Sequence, residues 1–176
     1  KGVRIPSFEE LLATVPDLRL NVEAKDGRSA PLLVDLILRH GAQERVLVAA
    51  EWEKNRRAVR GYPGPWGASR RHIVTFLLMM NTPLGPFYTP SCDVLQVPEI
   101  HKGIRILTPR FIREAHRRNI PVHVWTVDDS ADMRRLLSWG VDGIQTDRPD
   151  LLASVLAEVA GRPLPSILAK GEEGEA

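Results

Sequence analysis

One cysteine stands in 176 residues, Cys92, so no internal disulfide and no thiolate metal site can form. A reducing, cytoplasmic compartment is the expectation that goes with it. Aromatic residues make up only 6% of the chain. No apolar run approaches the roughly 18 residues that cross a bilayer; the longest, Ile73 to Met80, has the length of a buried helix. The five histidines (His40, His72, His101, His116, His123) lack a metal-type spacing such as His-Glu-x-x-His. No Gly-x-Gly-x-x-Gly loop is present for a dinucleotide, and no Gly-x-Ser-x-Gly elbow for a serine hydrolase. A net charge of +2 imposes no partner. The chain opens on Lys1, which reads as a start inside a longer product.

What is present is an ordered alternation. Ser7 with Glu10 forms a capping-box pattern for a helix over Phe8 to Val15. Leu18 to Lys25 alternates with period two and predicts a strand. Leu32, Leu33, Leu36 and Ile37 mark a helical stripe closed by Gly41. Val46 to Ala50 predicts a strand, and Glu53 to Arg60 a polar helix. A very short strand is placed near Trp66, and Ser69 caps a helix with Ile73, Phe76, Leu77 and Met80 on its apolar face. Thr82 to Asp93 reads as a proline-rich loop and Val94 to Pro98 as a strand. Thr108 and Pro109 open a helix to Arg118; Pro121 to Val127 is a strand. Asp129 or Ser130 caps the next helix, which ends at Gly140. Val141 to Thr146 is a strand, Asp147 caps the last helix, and Gly161 ends it. Residues 1–161 read as one domain, and 162–176, rich in Pro, Gly and Glu, as a disordered tail. About six strand–helix units in succession imply an α/β fold with parallel strands. Both a doubly wound sheet and a (β/α)₈ barrel fit that order; a barrel takes about 250 residues, so the chain would hold part of one.

Candidate chemistry sits on two strands. In Asn21-Val22-Glu23-Ala24-Lys25, alternation puts Asn21, Glu23 and Lys25 on one face. In a parallel barrel that face points inward, leaving a carboxylate and an ammonium at the strand's C-terminal end, where barrels keep their sites. An internal Glu–Lys ion pair or a solvated edge strand accounts for the same spacing. In Val122 to Val127, His123 and Trp125 share a face. Trp125 is read either as an apolar wall for a ligand or as core, and His123 as an interior histidine. Arg110, Arg113, Arg117 and Arg118 read as a solvated helix face; without interleaved aromatics they suggest no nucleic-acid partner.

Four segments then resemble one family. Ile5-Pro6-Ser7-Phe8-Glu9-Glu10-Leu11-Leu12, Leu20-Asn21-Val22-Glu23-Ala24-Lys25, Val124-Trp125-Thr126-Val127-Asp128 and Gly140-Val141-Asp142-Gly143-Ile144-Gln145-Thr146-Asp147-Arg148-Pro149 are similar, in order, to motifs of the glycerophosphodiester phosphodiesterases. The resemblance implies a TIM (β/α)₈ barrel, here a partial one. It implies hydrolysis of a small-molecule glycerophosphodiester to glycerol 3-phosphate and an alcohol with a divalent cation, Mg²⁺ or Ca²⁺. It makes Glu23 a metal ligand, Lys25 a catalytic residue near the phosphate, and Trp125 part of the substrate pocket. The family's His-Arg pair, acidic pair and His-Asp pair are not in this sequence, so the chain alone is expected to be inactive. Asp128, Ala24 and Gln145 depart from the family's usual Asn, Ile and Ile. A lysophospholipase D or phospholipid-cleaving relative acting on a lysophospholipid is the alternative on the same fold. A non-catalytic barrel that binds phosphorylated ligands is another. Membrane contact is left open.

Overall fold

The computed structural model describes residues 4–165, so most of the expected tail lies outside the described residues. The chain divides into two compact units, residues 1–95 and 96–176.

In the first unit, helix α1 (Phe8–Thr14) starts at the expected capping box: Ser7 accepts from the Glu10 amide, and Glu10 accepts from the Ser7 amide. Its other end is held by Arg45, whose guanidinium donates to the carbonyls of Leu12, Val15 and Leu18 at 2.9–3.2 Å. A helix leaves its last carbonyls without partners, and one guanidinium fork satisfies several of them here. Strand β1 (Leu20–Glu23) runs parallel to β2 (Val46–Ala49), with Glu23 opposite Ala49. Helix α2 (Ser29–Arg39) makes the crossover. Its buried positions are Ala30 and Ile37, while Leu32 is 67% exposed, which corrects the predicted stripe. Helix α3 (Glu53–Arg57) is shorter than the sequence suggests. The short strand near Trp66 is present as two parallel bridges, Val48 with Trp66 and Gly67 with Val94. Helix α4 (Arg70–Met79) follows Ser69, buries Phe76, and leads into a 3₁₀ turn at Gly85–Phe87. Leu12, Ile37, Val46, Val48 and Tyr62 make the core, with the Tyr62 hydroxyl donating to the Val46 carbonyl.

The second unit is built on a three-stranded sheet in the order β3 (Leu95–Pro98), β6 (Val122–Trp125), β7 (Gly143–Ile144). β6 and β7 are parallel, with His123 opposite Gly143. Between β3 and helix α5 (Pro109–His116) the sequence reading has only a loop. The structure has an antiparallel ribbon of β4 (Ile100–His101) and β5 (Ile104–Arg105). Its two-residue turn places Lys102 at φ 50° and Gly103 at φ 79°, the geometry that matches ribbon twist. Thr108 caps α5, and Asp129 caps α6 (Ser130–Trp139) by accepting from the Ala131 and Asp132 amides. Helix α7 (Pro149–Ala160) has Arg148 at its N-cap with no side-chain bond, so Asp147 is not the cap that alternation suggested. Gly140 (φ 94°) and Gly161 (φ 60°) end α6 and α7 as expected. Val122 and Val124 on one face of β6 are fully buried, as are Phe111, Met133 and Leu136 on the helices.

Candidate functional site

Glu23 is the last residue of β1, and Lys25 lies two residues beyond it, before the turn at residues 27–28. Lys25 Nζ lies 2.5 Å from Glu23 Oε2, so the structure pairs the two. The pair is not the inward, dry one that alternation in a closed barrel suggests: the Lys25 side chain is 78% exposed and that of Glu23 35%. A solvated pair of this kind is nearly neutral for folding. Its charges remain free to be redirected toward a ligand.

The backbone beneath the pair is fixed. Asp26 accepts from the amides of Ser29 and Arg28, which together hold its carboxyl below the usual carboxylate range. Asn55 reaches from α3 to donate to the carbonyls of Ala24 (3.2 Å) and Lys25 (3.0 Å), and is itself buried. Sequence reasoning missed Asn55 because it sits in a charged stretch. The signal available was its spacing, four residues before Val59, which is buried with it. Among the described residues no group of three or more His, Cys, Asp or Glu could hold a metal ion. Glu23 alone does not make a divalent-cation site, and the described residues do not fit one by themselves.

A polar network lies near the start of α4. Ser69 Oγ donates to Glu53 Oε2 (2.9 Å) and lies 2.8 Å from His72 Nδ1. Arg56 Nη1, which can only donate, lies 3.0 Å from His72 Nε2. The Ser69 amide also donates to His72 Nδ1 (3.3 Å), closing the capping box of α4. Ser69 gives its hydroxyl proton to the Glu53 carboxylate. Burial, then the Arg56 charge, pushes His72 below its ordinary value.

In the second unit Trp125 ends β6 and is 41% exposed, which rules out the core-packing reading. It bounds an open cleft of about 430 Å³ together with Ile100, Val127, Glu99, Asp128 and Asp132. The acids of the cleft are engaged locally. Glu99 is held by Arg135 at 2.9 and 3.0 Å and by Arg105 at 2.5 Å. Arg135 chiefly, with Arg105, keeps its carboxyl below the usual range. Asp128 accepts from the Thr146 hydroxyl and the Asp147 amide, both at 2.8 Å. At this position the carboxylate fastens the strand β7 loop to the loop after β6. His123, half-buried, is pushed below its ordinary value by burial. His101 sits exposed on the β4–β5 ribbon, and His116 Nε2 pairs with Asp142 Oδ2 at 2.8 Å. Arg118 is not part of a solvated face: its side chain is 7% exposed and pairs with Glu114. Gln145 is half-buried and lies just past β7, which ends at Ile144 rather than at Thr146, so its polar side chain is tolerated there.

Parallel strands joined by helices, with ionisable side chains gathered just past the strand ends, define an α/β protein of the βα-repeat class. Comparison with known proteins narrows the class. The sequence model of the "Glycerophosphoryl diester phosphodiesterase family" matches residues 73–151. A Mycobacterium tuberculosis protein named "Probable glycerophosphodiester phosphodiesterase 2" is 35% identical over 161 residues, covering 88% of this chain and 61% of the relative. The crystal structure of a glycerophosphodiester phosphodiesterase from Agrobacterium tumefaciens shares the fold, with a TM-score of 0.64 at 16% identity over 86% of this chain and 62% of that one. An Oleispira antarctica phosphodiesterase, solved with its product sn-glycerol-3-phosphate, gives 0.65 at 14% identity over 86% and 61%. The chain is similar to the glycerophosphoryl diester phosphodiesterase family over residues 73–151, and it spans about 61% of the length of the M. tuberculosis relative.

Proposed function

We propose that residues 1–161 are the βα units of a partial (β/α)₈ barrel. We further propose that the whole protein hydrolyses glycerophosphodiesters to glycerol 3-phosphate and an alcohol. The observation that carries this reading is the solvent-facing Glu23–Lys25 pair at the C-terminal end of β1, where barrels hold their reacting groups. In the reaction water adds across one P–O bond, phosphorus keeps the new oxygen, and the alcohol leaves with a proton. The flexible, exposed ammonium of Lys25 supplies positive charge to a phosphoryl oxygen as negative charge builds there. Asn55 fixes the carbonyls on either side of the Ala24–Lys25 peptide and so sets where that ammonium starts. A divalent cation, Mg²⁺ or Ca²⁺, would polarise the phosphoryl group, with Glu23 as one ligand and further carboxylates supplied by parts of the protein other than residues 4–165.

The test uses the whole protein that contains this chain. Glu23→Gln keeps size and removes the anion. Titrating Mg²⁺ and Ca²⁺ by calorimetry should show affinity reduced by at least about 10–100-fold, with loss of glycerophosphocholine hydrolysis. Unchanged cation affinity refutes the ligand role. Turnover of lysophosphatidylcholine but not of glycerophosphocholine moves the substrate to the lysophospholipids.

A further inference from the structure

One stretch of the first unit carries an excess of positive charge. Residues 51–92 hold six basic residues, Lys54, Arg56, Arg57, Arg60, Arg70 and Arg71, against two acidic ones, Glu51 and Glu53. From Arg70 to Cys92 there is no acidic residue at all. The same stretch holds much of the exposed apolar surface of the first unit. Val74 (46%) and Leu78 (66%) lie four residues apart on the outer face of α4, with Arg70 one turn before them. The Arg70 guanidinium stacks over the exposed Trp52 ring at 5.6 Å. Past the end of α4, Leu84 is 62% exposed and Phe87 86%.

These last two side chains are presented rather than left loose. Thr82 accepts from the Gly85 amide (3.0 Å) and Leu84 from that of Phe87 (3.0 Å), so two successive turns set their directions. A Cβ on Gly85 would lie 2.6 Å from the Met79 carbonyl oxygen, so the turn closes this tightly only with glycine. Pro83, Pro86 and Pro90 restrict the same segment further. A large aromatic and a leucine held out into water, in a segment that opens on Arg70 and Arg71 and holds no acid, are unfavourable in solution and suited to an interface. Trp52 adds an amphipathic ring of the kind that sits at headgroup level.

We propose that α4 and the 3₁₀ turn after it form a membrane-docking surface for anionic phospholipid. Leu84 and Phe87 enter the acyl boundary, Trp52 lies at the headgroups, and Arg70 and Arg71 meet lipid phosphates. Trp52 follows β2 by a few residues, at the strand end where β1 carries Glu23 and Lys25. The proposal does not depend on the hydrolytic reading, since its readout is binding.

The experiment is co-sedimentation of the full chain with vesicles of phosphatidylcholine alone and of phosphatidylcholine with phosphatidylglycerol. Binding is expected to the anionic vesicles and to weaken as salt rises through the range that screens exposed charge. Leu84→Ser with Phe87→Ser should lower the partition coefficient by about tenfold or more, given what burying two such side chains contributes. Arg70→Gln with Arg71→Gln should lower it on anionic vesicles and leave the residual binding salt-insensitive. Leu32→Ser, exposed on α2, is the control and should bind as the parent does. All four proteins should melt alike, because the changed side chains face water. Equal binding to both vesicle types, or parental binding by the Leu84/Phe87 variant, overturns the proposal. So does a lipid-free association constant that falls in step with the vesicle signal, which would assign the surface to a second copy.

Discussion

Lys25 is the residue where rate and stability separate most cleanly. Its pair with Glu23 is solvated, so Lys25→Met should change the denaturant midpoint by less than about 1 kcal/mol of stability. In the whole enzyme the same change should lower kcat by on the order of 10²–10³. A rate loss that only follows unfolding removes Lys25 from the mechanism. Glu99 behaves differently, because its side chain is 20% exposed and gripped by Arg135 and Arg105. Its folded-state value is lowered, so its contribution is present above the unfolded carboxylate value, about 4.3, and is lost as pH falls. His72 and His123, also lowered, act in the same sense below about 6.5, where the unfolded chain takes up protons first. Stability should therefore decline on acidification in two stages, and Glu99→Gln should remove much of the lower one, about 1–2 kcal/mol. Midpoints measured from pH 7 down to about pH 2 check this; an unaltered acid limb in the variant contradicts it. Among individual residues, the pairing of Glu23 with Lys25 and the place of Trp125 at the end of β6 were legible, because alternation fixes which face a strand residue takes. Their exposure was not, since it depends on what stands beside the strand. Asn55 was hidden for another reason: its role is to grip backbone carbonyls thirty residues away, and no local pattern announces that.

Elements were legible where a cap and a period agree. The Ser7–Glu10 box, the Thr108-Pro109 start and the glycine ends of α6 and α7 all fall where the sequence puts them. The β4–β5 ribbon was not, because its strands are two residues each and its turn is Lys-Gly rather than the Asn-Gly or Asp-Gly pair that signals such turns. Leu32 misled because leucine is as good a helix former on the wet face as on the dry one. The pairing of β6 with β7 rests on a close approach. A Cβ on Gly143 would lie 2.7 Å from His123 Cδ2, with more ring atoms at 3.0 Å. Gly143→Ala should force the half-buried ring aside and cost about 1–3 kcal/mol. Gly143→Ala with His123→Ala should recover part of that loss. A melting temperature of the single variant equal to the parent's would show that the ring yields freely.

At the scale of the whole molecule, the repeated βα order made the fold class readable, while closure did not follow from it. Among the described residues β1 and β7 each have a paired strand on one side only. Open strand edges are templates for further pairing, so the isolated chain should self-associate at micromolar concentrations; a monodisperse monomer in sedimentation velocity would contradict this. The chain's single cysteine bears on how such experiments can be done. Burial pushes the Cys92 thiol up to about 12. At neutral pH it is thiolate far less often than an ordinary exposed thiol. A cysteine introduced on the surface would thus outpace it toward maleimides, and the parent sequence can be labelled at one chosen position without first being stripped of its own sulfur.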